Sequence, residues 1–159
     1  MRDRNILKIV KKEVDEIVKL LGIDCNYDIE IEEGEEERKI MKISFEGENL
    51  GYMIGNHGRH LDSLQYVISL VLRKKFKEDF FFIVMLDVSG YRKERIAKIE
   101  AIALGKADDA RLLAESVDLE PMKPSDRRIV HMTLQQFDDI TTESQGEGRD
   151  RYVRISPKQ

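Results

Sequence analysis

Ile54-Gly55-Asn56-His57-Gly58-Arg59 is the stretch on which the reading of this chain turns. It lies between a short apolar segment, Leu50 to Ile54, and a longer helical pattern through Leu61, Leu64, Ile68 and Val71. Glycine has no Cβ and accepts positive φ, so two glycines three apart allow a tight turn and a close approach by another backbone. A helix that begins at such a loop points its free N–H groups and its positive dipole end at any anion held there. The motif is short, and a plain helix–helix turn would satisfy it equally. What surrounds it decides.

Upstream, Ile6, Val10, Val14, Ile17 and Leu21 recur every three or four residues and predict an amphipathic helix from about Asp3 to Leu21, stopped by Gly22. Tyr27, Ile29 and Ile31 alternate with Asp28, Glu30 and Glu32, which predicts a strand with one wet face. Gly34 opens a charged turn, and Met41, Ile43 and Phe45 alternate in a second strand, so the pair reads as a hairpin. Downstream of the glycine loop, Asp79 to Val88 is a strand apolar on both faces. Phe80, Phe82, Val84 and Leu86 share one side, and Phe81, Ile83 and Met85 the other. Both faces are expected to be covered, the second by the long helix that follows or by another copy of the chain. The first half is therefore helix–strand–strand–helix–helix–strand.

Ser89-Gly90 is the expected boundary, giving domains 1–89 and 90–159. After it, Ile96, Ile99, Ala103, Ala107, Ala110 and Ala114 form a narrow stripe of mostly small residues on a long helix reaching about Ser116. A short strand, Val117 to Leu119, precedes Pro121 and Pro124. A helix from about Ser125 to Phe137 carries Val130, Leu134 and Phe137 on one face, with Ser125 as N-cap or Pro124 in its first turn. Strands near Ile140 to Ser144 and Tyr152 to Ile155 are joined by Gly146-Glu147-Gly148.

Composition bounds the functions on offer. The 159 residues are 41% hydrophobic and 36% charged, enough for two modest cores with a heavily solvated surface. A single cysteine, Cys25, forms no internal disulfide, and neither a leader nor a run of about 18 apolar residues is present, so the expected location is the cytoplasm. The net charge of −4 is unevenly spread. Asp24 to Glu48 holds ten acids against three bases, a local −7 that leaves +3 for the rest. Outside it, bases cluster at Arg73-Lys74-Lys75, at Arg92 to Lys98, at Lys123, Arg127 and Arg128, and at Arg149, Arg151 and Arg154.

The second constellation is Arg127-Arg128-Ile129-Val130-His131. Arg127 and His131 are four apart and share one helix face, while Val130 and Leu134 turn inward. An Arg beside an imidazole can hold a phosphate and stack on a base. No catalytic or metal reading competes. His57, His60, His131 and Cys25 lack ligand spacing, Ser89 and Ser144 lack a nucleophile elbow, and the Glu33 to Glu37 run reads as a solvated turn. No enzyme, cofactor or metal site is expected.

The element order around Gly55 and Gly58 resembles the type II KH domain, whose GxxG loop clamps about four nucleotides. Pro124 to Met132, followed by Thr141-Thr142-Glu143-Ser144-Gln145-Gly146-Glu147-Gly148 and Arg151-Tyr152-Val153-Arg154-Ile155, resembles the R-3-H domain, a single-stranded-nucleic-acid module named for its Arg-x-x-x-His helix. In that order the two resemble the Jag (SpoIIIJ-associated, KhpB) family of bacterial RNA-binding proteins over nearly the whole chain. The resemblance implies an α+β protein: a type II KH module followed by a small α/β R-3-H module. It further implies a cytoplasmic RNA chaperone or post-transcriptional regulator linked to cell-envelope and cell-shape control. Its partners would be single-stranded RNA, single-stranded DNA as the variant, and a second copy or a separate small KH protein. Carried onto this chain, Gly55 and Gly58 admit the RNA backbone, and Asn56, His57 and Arg59 contact phosphates. Ile54 and Leu61 line an apolar groove, Arg127 and His131 grip a second stretch, and Arg128 and Lys123 add positive field. Two departures stand out. Many members carry a further N-terminal domain and linker, whereas the first helix here starts almost at Met1. The GxxG loop often holds Lys or Arg where this chain has Asn56 and His57. A protein–protein adaptor near the membrane insertase, with weak RNA affinity, is the competing expectation.

Overall fold

The computed structural model describes residues 3–34, 38–77 and 82–158 and divides into two compact units, Met1–Arg92 and Lys93–Gln159. The first contains α1 (Asp3–Leu20), β1 (Asn26–Glu33), β2 (Lys39–Glu46), α2 (Gly51–Ile54), a 3-10 turn at Asn56–Gly58, α3 (Arg59–Phe76) and β3 (Phe82–Val88). Its sheet has the order β1-β2-β3, antiparallel then parallel. The predicted hairpin and element order are both present in this α+β arrangement. Residues 35–37 of the turn lie outside the described residues, as do Asp79, Phe80 and Phe81 of the expected strand.

The first core follows the two periodicities. Ile6, Val10 and Val14 of α1 are buried, as are Leu61, Ile68, Leu72 and Phe76 of α3. They pack on Met41, Ile43 and Phe45 of β2 and on Val84, Leu86 and Val88 of β3. Each such side chain contributes about 1.5–3 kcal/mol by leaving water. The Tyr27 hydroxyl donates to Asp15 and to the Lys11 carbonyl, tying β1 to α1.

On β3, Ile83 is 45% and Met85 38% exposed, so the helices of the first unit cover one face of the described strand and the second is left to the other expected cover, another copy of the chain. Across the sheet, Ile83 pairs with Ile40 and Met85 with Lys42, which makes a partly apolar patch beside Glu30 and Glu32 of β1. Alternation identifies two apolar faces, but helices sit on only one of them.

The edge of that sheet is capped. Leu86 N–H donates to Gln65 Oε1 at 2.9 Å, and Arg92 Nε donates to the Leu86 carbonyl at 2.5 Å. Arg92 also bonds Gln65 and pairs with Asp62 at 3.2 Å. Side chains thus occupy main-chain groups that an open edge strand would offer to another strand.

The second unit takes in most of α4 (Tyr91–Leu113) and all of β4 (Val117–Asp118), α5 (Pro124–Leu134), β5 (Ile140–Gln145) and β6 (Tyr152–Pro157). Its sheet has the order β4-β6-β5 and is antiparallel throughout. Ile99, Ala103, Ala107 and Ala110 of α4 are buried with Val130, Leu134, Ile140, Val153 and Ile155. The predicted stripe is shorter at both ends. Ile96 is 44% exposed, and Ala114 takes φ 52°, a left-handed position that ends the helix before Ser116. Pro124 occupies the first turn of α5 after extended Lys123, which resolves the start in favour of the proline.

Candidate nucleic-acid interface

Gly55 is held to glycine by two independent constraints. Its φ of 65° and ψ of −165° lie in a region essentially closed to side-chain-bearing residues. A Cβ there would stand 2.3 Å from His60 Cγ. The His60 ring is in turn fixed by its Nδ1, 2.9 Å from the Tyr52 carbonyl oxygen. His57 (φ 55°, ψ 32°) and Gly58 (φ 82°, ψ 12°) are both left-handed and swing the chain into α3. Asn56, His57 and Arg59 are exposed, Ile54 is half-buried, and Gly58 is buried. The α3 N-terminus has no side-chain cap, and within the turn the Gly58 and Arg59 N–H groups donate to the Gly55 and Asn56 carbonyls.

Leu61 is a correction. It is fully buried in the core and cannot meet a base. The apolar hollow beside the loop, about 230 Å³, is lined instead by Leu21, Ile23, Tyr52, Met53, His60 and Leu64. Nor do the bases of Arg73-Lys74-Lys75 join the loop. They sit in the last turn of α3, roughly 24 Å from Arg59 at 1.5 Å per residue, where they complement the helix dipole. Lys75 pairs there with buried Glu13 at 2.8 Å.

In the second unit, α5 carries Arg127, Arg128 and His131, and α5 packs on β5 and β6. Asp126 is 2% exposed and accepts from Arg95 Nη2 at 2.7 Å and Nε at 3.2 Å, which braces the first turn of α5 against α4. His131 lies over β5, with Nδ1 2.7 Å from Thr142 Oγ1 and Nε2 2.9 Å from Ser144 Oγ. Burial first, and the neighbouring Arg127 charge second, push the imidazole below its ordinary pKa. Arg127 is half-buried one turn before it. Arg128 is exposed on the α4 side, at an open hollow that includes Ile96, Ile129 and Met132. Lys123 is the half-buried residue just before the helix.

The structure therefore brings Gly55, Asn56, His57, Gly58 and Arg59 into one loop, and Arg127 and His131 onto one helix face. It sets Arg128 to the side. Thr142, Ser144, Asp126 and Arg95 were given no role in the site from sequence. Thr142 and Ser144 had a signal available: alternate residues of a strand point the same way. Among the described residues no three His, Cys, Asp or Glu side chains converge as a metal site, and no helix is long and apolar enough to cross a membrane.

Two family models match in series. The KhpA/KhpB KH domain covers residues 11–83, and the R-3-H domain covers residues 94–157. The protein named RNA-binding protein KhpB in Clostridium symbiosum is 40% identical over 131 residues, 82% of this chain and 58% of that protein. Its namesake in Bacillus subtilis (strain 168) is 32% identical over 129 residues, 78% of this chain and 60% of the relative. A Streptococcus pneumoniae protein of the same name is 26% identical over 118 residues, 74% and 35% respectively. The chain thus spans about three fifths of the first two relatives and about a third of the last.

Proposed function

Since a chain that joins a KhpA/KhpB KH domain to an R-3-H domain belongs to the KhpB family, we propose that it binds single-stranded RNA at two sites without catalysis. The observation that carries the proposal is the Gly55 loop: a backbone only glycine can adopt, at the uncapped start of a helix, flanked by exposed Asn56, His57 and Arg59. That arrangement suits a phosphate backbone passing close to the chain. Arg127 supplies the charge of the second site, with His131 beside it. Arg128 and Lys123 strengthen its field. In this reading the protein works in the bacterial cytoplasm as an RNA chaperone or post-transcriptional regulator serving cell-envelope and cell-shape control.

Salt dependence tests the binding. Affinity for a single-stranded RNA oligomer is expected to fall linearly on a log–log plot against salt, because neutralised phosphates release counterions. Arg127→Ala should weaken binding and flatten that slope by about one unit if it meets one phosphate. Salt-independent binding, or an Arg127→Ala slope equal to that of the wild type, would sink the assignment.

Ile83 and Met85, open on the first sheet, favour a protein partner as well. This is the surface through which we expect pairing with a second copy or with a separate small KH protein, and on which the adaptor reading would rest. Ile83→Glu combined with Met85→Glu should leave the first unit folded while abolishing association. Sedimentation at micromolar concentration reads the outcome. A wild type that stays at 18.5 kDa alone and with such a partner removes the role of this face.

A further inference from the structure

His131 has hydroxyl partners for both ring nitrogens. A neutral imidazole carries one N–H and one bare nitrogen. One of the two hydroxyls must therefore accept from the ring, and the other must donate to it. Whichever tautomer is present, the ring has no N–H left for a ligand.

We propose that Thr142 and Ser144 are positioning residues of the second site: by engaging both nitrogens of His131 they make a ligand meet the flat face of the ring. The inference rests on the nucleic-acid reading and specifies its chemistry. A base stacks on the ring, while cationic contact with phosphate falls to Arg127.

The surroundings agree with an uncharged ring. On α5, Arg127 is the charge that acts on His131, and it opposes protonation. On β5, Thr142 and Ser144 are neutral, and Glu143 between them points to the other face of the sheet. On β6, Val153 and Ile155 face the core, and Arg154 is on the far side, paired with Asp118 at 2.6 Å. On α4, Arg95 is committed to Asp126. The sign for stability follows from the lowered pKa. As pH falls through the imidazole range, the unfolded chain takes up a proton that the folded one refuses, so this term favours folding above that range and is lost below it.

The test is a double-mutant cycle on the full chain, with a single-stranded RNA oligomer as probe. Thr142→Val with Ser144→Ala should lower affinity about as much as His131→Gln does. Adding the pair to His131→Gln should cost little more, since the hydroxyls act through the ring. Thr142→Ser, which keeps a hydroxyl, should restore binding relative to Thr142→Val. The pH profiles of the wild type and His131→Gln should run parallel through the imidazole range. Nitrogen-15 shifts of the RNA-free protein should show His131 neutral with both nitrogens hydrogen-bonded. Additive losses in the cycle overturn the inference alone, as does wild-type affinity that climbs at low pH where His131→Gln stays flat. Absence of RNA binding by the wild type overturns the functional reading, and the nitrogen shifts still report whether the ring is held as described.

Discussion

Changing Asn56 and His57 together to aspartate is expected to remove most of the RNA affinity of the first unit while leaving it folded. Both residues are exposed in the loop, and Asp is among the few residues that tolerate the left-handed backbone of position 57. Each new carboxylate would lie beside an approaching phosphate. At about 5 Å, with screening between that of water and that of a protein surface, the repulsion is roughly 1–3 kcal/mol per charge. Two such charges amount to at least about a tenfold loss, since 1.4 kcal/mol is a factor of ten. Gly58 is a poorer target, being buried. Fluorescence polarisation with a short single-stranded RNA measures the loss, and an unchanged melting profile shows that the unit is intact. Near-normal affinity in a folded double variant would take this loop out of the interface.

The second large effect concerns stability. Asp126→Ala is expected to destabilise the second unit by about 3–5 kcal/mol, because it strands the Arg95 guanidinium in a desolvated place. Asp126 is 2% exposed, and the Arg95 side chain 12%. The pair also anchors the turn that precedes Arg127, so RNA binding should fall with it. Two units need not unfold together. Residue-resolved hydrogen exchange is therefore the suitable measurement: protection should drop across α5, β5 and β6 while β1, β2 and β3 keep theirs. A loss of less than about 1 kcal/mol would show that water or another acceptor takes over from Asp126.

Much of the architecture was legible in the residues because helices and strands repeat differently. The spacing of Ile6, Val10 and Val14 announces α1, and the alternation of Met41, Ile43 and Phe45 announces β2. The two glycines of the loop and the four-residue spacing of Arg127 and His131 were equally plain, since each is a local pattern. Errors arose where a local pattern met a distant partner. Leu61 lies just past the loop and looked like groove lining, yet it is fully buried in the first core. Ile96 continued the α4 stripe in register but lies beyond the part of the helix buried in the second core.

By itself the sequence determined the order of elements, the α+β class, the glycine loop and the helix face shared by Arg127 and His131. All of these depend on separations of a few residues, over which backbone geometry is fixed. Tertiary structure alone decided that Ile83 and Met85 are left uncovered by the helices of the first unit and that Arg95 holds Asp126. It alone placed Thr142 and Ser144 against the two nitrogens of His131. Periodicity states which side chains share a face of one element. Which faces then meet depends on packing between segments far apart in the chain, because burial rewards whichever apolar surfaces close together and leaves the others to water.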